Sequence, residues 1–282
     1  MRFPRWARFL TASAVLWPAA AFAVTRGTLV QDPDGLRRSV VQIESSRGEL
    51  CSGAVIAPDL VLTAAHCVLQ RAAYRVVVVD RRFRRITVKA LAAAMHPDFV
   101  PGTTPRNQPG IDLAILKLAR PLGPDFSPLD PAAATNVAPG ESVNLAGFGL
   151  AAENRRGSGR VLRQTRLMSL GTLEVGNRVL VMADEDRMAE TTGAGACRGD
   201  SGGPIVRRDA GGGYQLLGIV SWSSGALRSS TPTACGGLTA VTPVAEHGRW
   251  IASRSEELRR FTADDAVAAP GRARPSSDWM SR

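Results

Sequence analysis

Short apolar runs broken by Gly, Pro, Asn and Asp dominate the chain, and each run is of strand length. A first set covers SVVQIESS (39–46), GAVIAPDLVLTAA (53–65), RVVVVD (75–80), RITVKALAAAM (85–95) and DLAILKL (112–118). A second set covers SVNLAGFG (142–149), VLRQTRLMSL (161–170) and QLLGIVSWS (215–223). Strands recurring at such intervals predict antiparallel β structure of the sandwich or barrel kind. The stretch from Leu122 to Gly140, with four prolines and four alanines, reads as a crossover between two β halves. Near the end, Trp250, Ile251, Leu258 and Phe261 fall at helical spacing, so a helix is expected within Val244 to Phe261. Residues 262–282 are polar and rich in Pro and Ala, and are expected to be a disordered tail.

Composition narrows the class. A chain of 282 residues makes one large domain or two small ones. With 44% apolar and 21% charged residues it is not a disordered chain. No apolar run reaches the roughly 18 residues that a membrane-spanning helix needs. The formal charge is +10. Residues 1–23 carry Arg2, Arg5 and Arg8 and no acid, so their removal lowers it to +7. The Arg excess is spread along the chain, with one dense cluster at Arg81, Arg82, Arg84 and Arg85. Such a run is expected to mark a solvated turn or strand edge, and no nucleic-acid partner is expected.

The first 23 residues have the form of a secretory signal. Three Arg precede an apolar stretch from Phe9 to Trp17, followed by Pro18 and then Ala21-Phe22-Ala23, an A-x-A cleavage site. Export to a periplasm or beyond the cell implies an oxidising compartment, and no membrane attachment once the signal is removed. Four cysteines then suggest two bridges. Cys51 and Cys67 bracket one apolar hairpin-like stretch and Cys197 and Cys235 another, although sequence alone permits three connectivities. No CxxC or HxxxH spacing points to a metal, and neither a metal nor a cofactor is expected.

Three segments carry candidate chemistry. LTAAHC places His66 directly after an apolar strand, GIDLAILKL places Asp112 at the head of another, and GACRGDSGGP places Ser201 in a tight Gly-rich loop. A serine hydroxyl is a weak nucleophile until an imidazole takes its proton, and the imidazole needs a carboxylate to fix its tautomer. Singly, each residue has a plainer explanation: a structural histidine, a strand-capping aspartate, a flexible loop. Together, in this order and beside two cysteines, they favour nucleophilic catalysis. A Ser-His-Asp esterase would instead show a G-x-S-x-G elbow, with histidine last. The other histidines, His96 in MHPDF and His247 near the predicted helix, read as structural or solvated.

In LTAAHC, DLAILKL and CRGDSGGP the chain resembles the trypsin/chymotrypsin-like serine peptidases, over about Val24 to Phe261. That resemblance implies an all-β fold of two perpendicular antiparallel barrels with a C-terminal helix and the site in the cleft between them. It implies His66 as general base, Asp112 as its orienting carboxylate and Ser201 as nucleophile. The N–H groups of Gly199 and Ser201 would form the oxyanion hole. Ser221 would help hold Asp112 and open the strand pairing with substrate backbone. The same resemblance pairs Cys51 with Cys67 and Cys197 with Cys235.

Activation and specificity follow from the same resemblance. The family buries a free N-terminal ammonium against the Asp preceding the nucleophile, here Asp200. Cleavage after Ala23 exposes Val24-Thr25-Arg26-Gly27, a loose match to the family's start, and pairs Val24 with Asp200. A short propeptide cut after Arg26, Arg37 or Arg38 is the alternative. The pocket base is Gly195, where Arg/Lys-cleaving members carry Asp, so cleavage is expected after uncharged, small-to-medium apolar residues. Ala196, Arg198, Trp222, Ser223 and Gly236 complete the expected substrate-binding set, with Arg198 favouring acidic character nearby. The expected partner is a protein or peptide substrate, acted on by a monomer. The rivals are a catalytically silent secreted binding protein on the same fold and a binder of anionic polymers led by the Arg81–Arg85 cluster.

Overall fold

A computed structural model describes residues 24–31, 35–262 and 265. The expected signal at 1–23 and nearly all of the expected tail lie outside the described residues. The chain forms β1 (Thr28–Leu29), β2 (Val40–Ser45), β3 (Leu50–Ala57), β4 (Leu60–Thr63), β5 (Tyr74–Val79), β6 (Arg85–Met95) and β7 (Ala114–Leu118). There follow β8 (Ser142–Gly147), β9 (Arg163–Val175), β10 (Asn177–Ala183), β11 (Pro204–Arg208), β12 (Tyr214–Ser223), β13 (Thr239–Pro243) and α1 (Gly248–Arg260).

Two six-stranded antiparallel barrels result. The first closes in the order β2-β3-β4-β7-β6-β5. Pairing of β8 with β9 closes the second through β9-β10-β13-β12-β11-β8, and β1 is added to the outside of β9. Alternation along the strands explains the closure: Val41 and Ile43 on β2, Val76 and Val78 on β5 and Val88 on β6 fill the first barrel. Leu145, Leu167, Leu180, Met182 and Ile205 fill the second. A third apolar cluster, including Leu36, Leu62, Phe148, Ile219 and Leu258, packs the barrels and α1 together, which fixes the cleft between them.

The 53–65 run is a hairpin, β3 and β4, turning at Pro58 and Asp59 because proline cannot continue the ladder. The 161–170 run extends to Val175. The strands β1, β10, β11 and β13 have no counterpart in the sequence reading; β1 is two residues long and β13 ends in a proline. The helix begins at Gly248, after a short 3-10 turn over Ala245–His247, and buries Ile251 and Leu258. The segment 122–140 crosses between the barrels with one 3-10 turn at Pro131–Ala133, capped by the Asp130 carboxylate. Two disulfides form, Cys51–Cys67 and Cys197–Cys235. Bridges closing loops of such lengths are worth roughly 3 kcal/mol each. Among the described residues no helix is long and apolar enough to cross a membrane.

Candidate active site

The first barrel supplies an imidazole and a carboxylate. His66 sits in the 3-10 turn Ala65–Val68 that ends β4, and Asp112 lies two residues before β7, fully buried. Asp112 Oδ2 is 2.8 Å from His66 Nδ1, and Oδ1 accepts the His66 backbone N–H at 3.0 Å. From the second barrel, Ser221 Oγ donates to Asp112 Oδ2 at 2.6 Å. Nδ1 therefore carries the proton and Nε2 is left as the acceptor. Burial alone would depress the His66 imidazole, but the Asp112 charge and hydrogen bond outweigh it and the net shift is upward. Burial would raise Asp112, yet His66 and the Ser221 hydroxyl hold it below the ordinary carboxylate value.

The second barrel brings Ser201, half-buried in the turn before β11. Its Oγ donates to the Ser221 carbonyl at 3.5 Å, and no hydrogen bond joins it to His66 in this form. Such a bond is often long or misaligned until substrate is present. Ser52 N–H donates to the Ser201 carbonyl at 2.8 Å, tying the turn to the first barrel. Among the described residues the N–H groups of Gly199 and Ser201 donate to nothing. Gly199 has φ +97°, and a Cβ there would lie 3.0 Å from Gly149 Cα, so backbone angle and space both require glycine.

Beneath the turn lies Asp200, fully buried. Its carboxylate accepts the N–H groups of Gly149 and Cys197 at 2.8 and 2.9 Å. A Cβ on Gly149 would come within 2.5 Å of that carboxyl carbon. Burial pushes Asp200 up to about 7, against the pull of those two amides and of Arg163. Val24 is fully buried in the same barrel core, and its neighbour Thr25 exchanges backbone hydrogen bonds with Gly195 at 3.0 and 3.2 Å. Val24 has φ +47°, an outlier for a β-branched residue.

A cleft of about 380 Å³ beside Ser201 is lined by Arg106, Arg198, Ser221, Trp222, Ser223 and Ala234, among others. Ser223 Oγ donates to the Ala234 carbonyl at 2.6 Å, across one side of it. Ala196 is buried, its N–H held by Thr239 Oγ1 at 3.0 Å. Gly195, Ala196 and Gly236 all lie apart from the cleft lining, with Gly236 packed behind Gly195: a Cβ on Gly195 would be 3.4 Å from Gly236 Cα. Arg198 is ion-paired, its Nε 2.8 Å from Glu153 Oε1. A larger surface depression of about 600 Å³, between residues 35–39, 127–133 and 209–215, contains none of these groups.

Sequence reasoning passed over several participants. Ser52 Oγ donates to the Gly199 carbonyl at 2.9 Å and accepts from Phe148 N–H at 2.9 Å, so it buttresses the turn that carries Ser201; only its place next to Cys51 hints at this. Glu153 also accepts from Ala234 N–H at 2.8 Å. Arg106 lies over the Trp222 ring. His96 is buried against His247 and Trp250, and burial with the neighbouring His247 pushes it down to about 4, which makes it structural and not solvated.

Comparison with known proteins follows the geometry. The family model described as Trypsin matches residues 29–251. Human granzyme M is 32% identical over 238 residues, covering 78% of this chain and 86% of the relative. A trypsin-like protease of Streptomyces glaucescens is 30% identical over 197 residues, covering 64% of this chain and 68% of the relative. Among solved structures, a mutant of human heparin binding protein is 25% identical with a TM-score of 0.60, covering 82% of this chain and 95% of that one. The atomic-resolution structure of HBP, at 24% identity and a TM-score of 0.62, shares the fold over 83% of this chain and 97% of that chain.

Proposed function

The chain belongs to the trypsin family, and from that premise we propose that it is an exported serine endopeptidase working through an acyl-enzyme on Ser201. The observation that carries this reading is the bonded line Ser221–Asp112–His66, which leaves Nε2 as a base beside the nucleophile turn. Ser201 Oγ attacks the peptide carbonyl while its proton passes to His66 Nε2. The oxyanion is received by the unclaimed N–H groups of Gly199 and Ser201. His66 returns the proton to the departing amine, and water, deprotonated by the same imidazole, hydrolyses the ester.

Cleavage after Ala23 would create the working N-terminus. The buried Val24 and the Thr25–Gly195 bridge already occupy the second barrel, and Asp200 is short of a full counter-charge. The left-handed φ of Val24 costs on the order of 1–3 kcal/mol while the peptide bond to Ala23 is intact, and cutting that bond releases it. Gly195 carries no charge, and the backbone of Gly236 and Gly237 stands close behind it, so the pocket suits uncharged, small-to-medium apolar side chains. The substrate is a protein or peptide, met by a monomer outside the cytoplasm, where two disulfides persist.

A fluorophosphonate followed by intact-mass measurement tests the nucleophile: one adduct on the wild type and none on Ser201→Ala is expected. A folded protein starting at Val24 that takes up no reagent contradicts the reading.

A second reading, a binding protein without turnover, is favoured by one feature. Half-exposed Arg75, Arg85 and Arg160 surround the buried Glu44 carboxylate, so one acid faces three guanidiniums. Heparin binding is what one structural neighbour is named for. Retention on immobilised heparin that falls steeply with salt, together with no adduct, would place this reading first.

A further inference from the structure

The two guanidiniums lining the cleft beside Ser201 are not equivalent. Arg198 is neutralised by Glu153 at 2.8 Å. Arg106 has no acidic partner among the described residues, and neither Asp nor Glu lines the cleft. Its guanidinium carbon stands 5.2 Å from the centroid of the Trp222 ring. Stacking on an indole satisfies one face of a guanidinium and leaves its in-plane N–H donors for a ligand.

The loop that presents Arg106 is firmly held. Gln108, almost fully buried, donates from Nε2 to the Val100 carbonyl (3.0 Å) and Thr103 Oγ1 (2.8 Å). Its Oε1 accepts from the N–H groups of Val100 (3.0 Å) and Gly110 (2.8 Å). Asn177 Nδ2 reaches the Gly110 carbonyl at 2.5 Å, anchoring the loop to the second barrel. Pro105 starts the 3-10 turn Pro105–Asn107 that carries Arg106. A cation whose backbone is held, and whose guanidinium rests on one ring, loses less freedom on binding than one on a loose loop.

We propose that Arg106, seated on Trp222, forms a subsite for a carboxylate side chain on the acyl side of the scissile bond, so that the substrates are peptides with Asp or Glu two to four residues before the cut. This rests on the serine-peptidase reading, in which substrate backbone pairs along Ser221–Ser223. The side chain of Trp222 lies in the middle of that strand edge, and a residue of an extended substrate advances about 3.3 Å per position along it. Arg106 is here a specificity-determining residue and takes no part in the chemistry.

The test uses peptides identical except for Glu, Gln or Lys at one position two to four residues before a small apolar residue. Glu is expected to exceed Gln by about 10-fold in kcat/KM, through KM, as for one charge-assisted contact. Arg106→Ala should equalise Glu and Gln in kcat/KM, and Arg106→Glu should shift the preference to Lys. The same peptides are titrated against Ser201→Ala by calorimetry, which needs no turnover. Equal binding of Glu and Gln peptides, or a Glu preference surviving Arg106→Ala, overturns the subsite. If wild type cleaves nothing but binding to Ser201→Ala still ranks Glu above Gln above Lys, the peptidase reading fails and the subsite stands. Cleavage without that ranking has the opposite meaning.

Discussion

The two barrels contribute to one site in different states of completion. In the first, His66 and Asp112 already have every bond their roles require: Asp112 holds both the ring and the backbone of His66 and is itself held by Ser221. In the second, Ser201 is turned toward the Ser221 carbonyl, and its turn rests on a buried carboxylate that burial pushes up to about 7. The acid–base half is a finished scaffold. On the serine-peptidase reading proposed above, Ser201 makes the second barrel the nucleophile half, and control of activity is to be sought at the buried Asp200 beneath it.

Substitutions can separate the halves, and the largest effect belongs to the first. Asp112→Asn removes the acceptor that fixes the His66 tautomer, and about a 10⁴-fold loss of turnover is expected with the fold intact. Peptide hydrolysis and a thermal melt measured together check this; a loss under 10-fold would mean that His66 is oriented by something else.

The second barrel responds to Asp200→Asn in opposite directions. In the chain with the Ala23–Val24 bond intact, Asp200 has its pKa raised from the ordinary carboxylate value to about 7, so the folded state binds the proton more tightly than the unfolded. Stability therefore falls as pH rises from about 4 to 7, by on the order of 4 kcal/mol at most, and Asn should abolish that slope. In the chain starting at Val24 the same substitution should lower turnover by roughly 10²–10³, the cost of an unset oxyanion donor. Denaturant melts across pH on the uncut form, paired with kinetics on the cut form, read both arms. A pH slope that survives Asp200→Asn assigns it to another group.

Gly199→Ala has a smaller but sharper effect. A Cβ at φ +97° and 3.0 Å from Gly149 Cα displaces the turn, with a stability loss of about 1–3 kcal/mol and loss of fluorophosphonate uptake while the His66–Asp112 pair is undisturbed. The gentlest probe is pH. Only neutral His66 can accept the serine proton, and its pKa is raised, so the acidic limb of kcat/KM should lie above the ordinary histidine value of about 6.5. Lower residual activity in Asp112→Asn should show that limb displaced downward.

How much of this was legible beforehand differs by barrel too. In the first, the apolar runs at 75–80 and 85–95 match β5 and β6 closely, because each run is of strand length and bounded by polar residues. In the second, β11 directly follows the Gly-rich turn and β13 is five residues ending in proline, too short for periodicity to register. His66, Asp112 and Ser201 stood out by residue type and order. Ser52, Glu153 and Arg106 did not, because their contacts join segments far apart in the chain, and local pattern contains no trace of such meetings.

The most direct measurement compares two chains, one beginning at Val24 and one beginning at Ala23, for their rates of fluorophosphonate labelling at Ser201. If the ammonium freed at Val24 pairs with Asp200 and sets the turn, labelling at least 100-fold faster than in the longer chain is expected. Equal rates in the two chains would contradict control of the nucleophile half by that buried charge, and labelling of neither would remove the serine-peptidase reading itself.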